Sequence, residues 1–298
     1  MNMINKRIKS WLLKIGRFIV NTVYWLSILL VVVVCARVFL FSSFKIPSDS
    51  MSPSLIGGDN VLVFKPTVGA RLFDLFASMR GEQVKIHRTP GFRKVRRNDV
   101  IVFNFPHPNR WDKVEMHILK YYIKRCVAIP GDTLEIRNGF YQVRGVREPL
   151  GNIKSQEKVS RREDASFAEN IYRTFPQDSL VNWNIKEFGP FYIPKKGDVL
   201  PLNRTCYLLY KKLIEWEQKA VLEYKDSVIY LDNKAIASYR FQKNYYFVAG
   251  DYTEDSRDSR YWSLLPEEYI VGKAWMIWRS IDPHTGKFRK ERFLKAVR

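Results

Sequence analysis

Phe44-Lys45-Ile46-Pro47-Ser48-Asp49-Ser50-Met51-Ser52-Pro53-Ser54-Leu55 sets two serines, Ser48 and Ser50, on either side of a single aspartate. A few residues before it ends a hydrophobic run long enough to cross a bilayer. A serine hydroxyl is a weak nucleophile until a base accepts its proton, so chemistry here requires a base from another part of the chain. The sequence on both sides is read for that base and for the scaffold that would deliver it.

On the N-terminal side, residues 1–17 carry Lys6, Arg7, Lys9, Lys14 and Arg17 and no acidic residue, and residues 18–36 are uncharged. As a helix that uncharged run spans about 28 Å, matching a hydrocarbon core of roughly 30 Å. A secretory signal would have an apolar core of about 7 to 15 residues and a small-residue cleavage site, so an uncleaved anchor is expected. Five basic residues precede the run and only Arg37 and Lys45 closely follow it. The positive-inside rule then places the N-terminus in the cytoplasm and the remainder outside. The formal charge of +20 predicts attraction to an anionic partner, and beside an anchor that partner is the phospholipid surface rather than nucleic acid. Cys35 lies in the run, which leaves Cys126 and Cys206 as the one possible disulfide outside it. The histidines, His87, His107, His117 and His284, are widely spaced and no zinc signature occurs, so neither a disulfide framework, a metal nor a cofactor is expected.

On the C-terminal side, β-rich runs follow turn signals at residues 60–64 and 99–103. Between them, residues 67–97 look like an insertion. Leu72, Phe73, Leu75 and Phe76 suggest one or two helical turns, followed by a basic run from Lys85 to Arg97, either on the membrane surface or as a solvated loop. A strand is expected over residues 121–129, closed by Pro130-Gly131-Asp132 and continued at 133–137. Lys124 falls inside that apolar strand, where an ammonium tends to lose its proton. Residues 138–243 shift in composition, with a helix expected over 208–218 and a hairpin about Asp232-Asn233. Because the block lies between the candidate residues, it is expected to be an inserted second domain. A strand at 245–248 leads into residues 250–262, of which six are Asp, Glu or Arg. A loop this charged is either solvated or a mutually paired platform beside a site.

The candidates are thus Ser48 and Ser50, Lys124, and the charged loop with Ser256. No histidine is near any of them in sequence. A serine-lysine dyad needs only a lysine made neutral near pH 7 by burial, which Tyr122, Ile123 and Val127 would supply. Arg125 points to the other strand face, where it can depress Lys124 by like charge while pairing with Asp251 or Asp258. On these residues alone two bland alternatives stand: serines beside prolines as turn residues, and a strand lysine guarding a sheet edge.

Residues 46–55 resemble the nucleophile box of bacterial type I signal peptidases. Three more segments match that family in order: 98–103, 122–132 and 250–262. Together the four cover about a fifth of the chain. The resemblance implies a mainly β fold, a signal-peptidase-like catalytic core (37–137 and 244–298) with an inserted β-rich domain (138–243), behind one transmembrane helix. It implies Ser50 as nucleophile and Lys124 as general base, with Ser48 and the Ser50 N–H as oxyanion donors and Ser256 orienting the lysine. Asp251, Asp258, Arg260 and Arg125 would support the site. Phe44, Ile46, Met51, Leu55, Val102, Tyr122 and Ile123 would line shallow pockets for small side chains. Tyr252-Thr253-Glu254-Asp255 departs from the family's usual loop, Ser263 stands where glycine is common, and Asn98 replaces a glycine whose left-handed geometry asparagine tolerates.

The expected function is removal of signal peptides from exported preproteins, cutting after small residues at −1 and −3, on the outer side of the cytoplasmic membrane. The alternatives are a Ser-Lys peptidase dedicated to a narrow substrate set and a non-catalytic basic module tethered to the membrane.

Overall fold

A computed structural model of the chain describes residues 2–74, 76, 77, 80, 82 and 86–297, with side chains from residue 11 onward. Helix α1 (Asn2–Cys35) runs on into a π-helical turn, Ala36–Leu40. The stretch Trp11–Leu40 is, among the described residues, the one helix long and apolar enough to cross a membrane, and none of it is buried. It is longer than the uncharged run because Trp11, Leu12 and Leu13 extend the apolar surface past Lys14 and Arg17, whose long side chains can reach the interface. The helix stops where Lys65 supplies donors to its last carbonyls: its backbone N–H bonds Leu40 O at 2.9 Å, and its Nζ bonds Arg37 O at 2.5 Å and Val38 O at 3.1 Å.

Strand β1 (Phe41–Lys45) pairs with β2 (Asp59–Phe64). A short hairpin follows, β3 (Arg71–Leu72) with β4 (His87–Arg88). Leu72 is therefore in a strand and not in the expected helical turn, although Phe76 and Ala77 are helical. Leu75 and Lys85 lie outside the described residues. Nor is the basic stretch simply solvated. Arg71 and Arg88 donate to the carbonyls of Tyr269 (3.2 Å) and Ile270 (2.7 Å), while Arg93 and Arg97 pair with Asp99 and Asp132.

Next come β5 (Val100–Asn104) and β6 (Tyr121–Ala128), then β7 (Thr133–Arg137) and β8 (Phe140–Val143). After α2 (Ile153–Arg161) and α3 (Glu169–Tyr172) come β9 (Phe188–Tyr192), β10 (Val199–Pro201) and α4 (Arg204–Gln218). Helix α4 starts four residues before the expected boundary because Asn203 caps it, its side chain accepting from Cys206 N at 2.8 Å. Strands β11 (Leu222–Lys225), β12 (Val228–Leu231) and β13 (Lys234–Ala235) form a meander. Its second turn puts Asp232 and Asn233 at φ 44° and 65°, the geometry expected of that dipeptide. Strand β14 (Ser238–Arg240) pairs with β10. The chain closes with β15 (Tyr245–Ala249), α5 (Ser259–Trp262), β16 (Leu265–Pro266), β17 (Ile270–Ser280) and β18 (Lys295–Ala296).

The fold is mainly β. Its largest sheet is antiparallel, in the order β1-β2-β17-β5-β6-β15-β16, with β18 also on β17. Strands β5 and β15 are buried at every position, which is why they read as continuous apolar runs, whereas β2 alternates. Strand β7 pairs with β8 and β9, away from the large sheet, so the sheet boundary falls at the Pro130-Gly131-Asp132 turn rather than after residue 137. The block expected to be an insertion shares apolar contacts with the large sheet. One continuous apolar core joins Ile101, Phe103, Phe247 and Leu265 of the large sheet to Leu134, Phe191, Leu213 and Ile214.

Candidate active site

The loop between β1 and β2 carries Ser50. It is closed at its base by Ile46 N to Asp59 O (2.8 Å) and Gly58 N to Ile46 O (2.9 Å), and pinned within by Gly57 N to the Asp49 carboxylate (2.8 Å) and Ser52 N to Asp49 O (2.7 Å). Met51 and Leu55 sink into the apolar cluster beneath, with Ile46, Val61 and Val102. Those anchors leave Ser50 half-buried at the rim.

Lys124 lies mid-strand in β6, opposite Ile101 of β5. Its residue is 3% exposed, and its Nζ lies 2.6 Å from Ser50 Oγ and 3.0 Å from Ser256 Oγ. Burial pulls its pKa down to about 8; the Asp258 carboxylate opposes that shift and the Arg260 guanidinium adds to it. A like charge acting on Lys124 is thus the buried Arg260, on the charged loop. Arg125 turns to the other strand face, donating from Nε and Nη2 to Asp251 at 2.6 Å each, and from Nη1 to Asn98 O at 2.8 Å. Of the two carboxylates expected for Arg125, the structure selects Asp251.

Half of the loop's charges, Asp251, Asp258 and Arg260, form a buried platform, while Asp255 and Arg257 stay exposed. Arg260 and Asp258 are fully buried and paired through two 2.8 Å bonds, and Asp258 also accepts from Gly250 N at 2.9 Å. Burial opposes ionisation of Asp258, yet the Arg260 guanidinium outweighs it and holds the carboxyl below its usual range. Gly250 admits no side chain: a Cβ there would lie 2.1 Å from Ser256 Oγ and 2.5 Å from Ser50 O. The atypical residues still tie the loop in place. Tyr252 N donates to Ser50 O (3.1 Å) and Thr253 N to Ser155 Oγ (2.8 Å), while Thr253 O accepts from Arg260 (3.0 Å). The block beyond residue 138 thereby braces the loop, and Asn152 does the same through Asp251 O at 2.9 Å.

A groove of about 730 Å³ opens on Ser50 and Lys124, with Phe44, Ile46, Ser48, Met51, Val102, Tyr122 and Ile123 in its lining. Leu55 is not in that lining; it is wholly buried beneath the loop. Besides Lys45, Pro47 and Asp49, which adjoin predicted lining residues in the chain, sequence reasoning missed four more lining residues: Tyr121, Tyr252, Asp255 and Arg257. Tyr121 was legible in principle, since it is two residues from Ile123 on one strand face, and its ring packs 4.7 Å from that of Phe44. The other three sit on an irregular loop where no periodicity applies. Asn98 adopts φ 66° as its residue type allows, and all three cysteines are free.

The family model described as signal peptidase, peptidase S26, matches residues 19–279. Among curated relatives, signal peptidase I of Buchnera aphidicola subsp. Acyrthosiphon pisum is 27% identical over 267 residues, 85% of this chain and 72% of its own length. The signal peptidase I of Haemophilus influenzae is 25% identical over 90% of this chain and 73% of its own. That of Pseudomonas aeruginosa is 26% identical over 84% and 69%.

Proposed function

From the premise that the chain belongs to the signal peptidase family, peptidase S26, we propose that it removes N-terminal signal peptides from exported preproteins, with Ser50 as nucleophile and Lys124 as general base. Family membership makes it a type I signal peptidase, a hydrolase. The dyad rests on one observation above all: a lysine buried to 3% exposure with its Nζ 2.6 Å from a serine hydroxyl at the edge of a groove.

With Lys124 neutral, the Ser50 hydroxyl donates to the Nζ lone pair and gives up its proton as Oγ attacks the scissile carbonyl carbon. The ammonium then protonates the leaving amine, which departs as the new N-terminus. The signal peptide is left as an ester on Ser50, and a water deprotonated by Lys124 releases it. Ser256 orients the lysine from a second direction. The Ser50 N–H donates to no acceptor among the described residues, and Ser48 is exposed beside it in the groove. In this reading the two hold the oxyanion, where a donor is worth about 3 kcal/mol of barrier. Phe44, Ile46, Tyr122 and Ile123 bound the part of the groove that takes the side chains at −1 and −3, and apolar walls this close exclude large ones.

The test is cleavage of a preprotein library varied at those two positions, by the full chain in detergent and by its Lys124→Ala and Ser50→Ala variants. The parent cuts after Ala, Gly and Ser, and both variants are inert. Cleavage by Lys124→Ala at the parent rate would sink the dyad, and acceptance of Leu or Phe as readily as Ala would sink the pocket assignment.

A further inference from the structure

The segment after β17 reaches back under the nucleophile loop, and it lies beyond the residues that match the family model, which end at 279. Arg292 is the centre of that contact. Its guanidinium takes both oxygens of Asp59, with Nε to Oδ1 at 2.9 Å and Nη2 to Oδ2 at 2.6 Å, and Nη2 also bonds Ser54 O at 3.0 Å. Asp59 is fully buried and Arg292 8% exposed. Asp59 Oδ2 also accepts from Ile56 N at 2.9 Å, so the carboxylate stitches the loop to its own base while the arginine holds it from outside. Two further bonds run between the same parts: Arg289 Nη1 to Gly57 O at 2.9 Å and Ile281 N to Gly58 O at 3.1 Å. Ser54 is gripped twice, its carbonyl by Arg292 and its hydroxyl by Arg125 Nη2 at 3.2 Å.

We propose that Arg292 is a positioning residue for the hydrolysis: by fixing Ser54 and Asp59 it sets the height of the loop at which Ser50 Oγ lies within reach of Lys124 Nζ. The proposal rests on Ser50 and Lys124 being the reacting pair. Those two side chains belong to separate elements, the β1–β2 loop and β6, and Arg292 touches neither. A loop released from its base drifts, and a displacement near 1 Å between reacting groups costs about a hundredfold in rate. A grip on the loop therefore acts on turnover, while the groove walls in β1 and β6 keep substrate affinity.

The experiment measures kcat and KM for a preprotein with the full chain in detergent micelles, comparing the parent, Arg292→Lys and Arg292→Ala. Lysine keeps a charge beside Asp59 but lacks the planar fork whose two nitrogens meet the two carboxylate oxygens side by side. Arg292→Lys is expected to lose about tenfold in kcat with KM within about twofold, and Arg292→Ala about a hundredfold. Added guanidinium ion should restore several-fold activity to Arg292→Ala and none to the parent. Thermal melts show whether each variant is folded, and if Arg292→Ala is not, Arg292→Lys carries the test. Parental kcat in Arg292→Lys, or a loss confined to KM, overturns the proposal. Lys124→Ala in the same assay separates the two ideas. If it cleaves like the parent, the dyad fails and the clamp has nothing to position; if it is inert while Arg292→Lys is unimpaired, only the clamp is refuted.

Discussion

For Lys124, the base we propose, burial opens a gap between two pKa values, about 8 in the folded chain against the ordinary 10.5. The base must be neutral to accept the Ser50 proton, so kcat/KM should rise with pH along an acidic limb centred near 8 and level off above it. A limb near 6.5, moved by histidine substitution, would point to another base. The same gap acts on stability. Below about pH 8 the amine is charged folded and unfolded, and the penalty of burying that charge is felt in full. Between 8 and 10.5 the unfolded chain holds a proton that the folded chain does not, so stability rises with pH. The gap corresponds to about 3 kcal/mol at most. Lys124→Met should therefore melt above the parent at pH 7, with an advantage that shrinks toward pH 10.5. An advantage independent of pH would show that burial of charge is not its source.

At the scale of the element, the charged loop and α5 form one device. Asp258 caps the helix, accepting from Arg260 N at 3.2 Å, and the same carboxylate neutralises the buried Arg260. The short helix then ends on Ser263, a buried residue at φ 83° and ψ −145°, in a region that glycine alone enters without strain. Its hydroxyl has no hydrogen-bond partner among the described residues. Both features cost stability, so Ser263→Gly should raise it by about 1 kcal/mol, less the greater freedom that glycine adds to the unfolded chain. Calorimetry in detergent checks this; an unchanged or lower Tm would mean that the strain is relieved elsewhere.

For the whole molecule, continuity of the core is the decisive property. Side chains of β7, β9 and α4 share one apolar cluster with β5, β15 and β16. Glu217 of α4 accepts from the hydroxyls of Tyr239 (2.7 Å) and Tyr245 (2.6 Å) and from Lys243 N (3.0 Å), which fastens the block to the large sheet. The body beyond the membrane helix should accordingly unfold in a single calorimetric transition. Two resolved transitions would show that the inserted block unfolds as a unit of its own. Orientation is a separate proposal, carried by the basic residues ahead of the span: in sealed inverted vesicles, a protease on the cytoplasmic side should leave residues 38–298 intact, and digestion there would reverse the assignment.

The sequence by itself determined what depends on neighbours along the chain. The anchor follows from the length of an uncharged run, and the strands over β2, β5, β6 and β15 from β-rich runs set off by turns. The Asp232-Asn233 hairpin and the left-handed Asn98 follow from residue type. Ser50, Lys124 and Ser256 were legible as candidates because four short segments stand in a recognisable order. Only the tertiary structure decided which charges meet and which apolar residues face the groove. Arg125 with Asp251, Arg260 as a cation helping to depress Lys124, and Arg292 beneath the Ser50 loop each join residues far apart in the chain. So do the assignment of β7 to the second sheet and the burial of Leu55 out of the groove's reach. Backbone periodicity says which way a side chain points on its own strand, but the partner waiting there is set by how the sheets pack, and that is written in no local stretch.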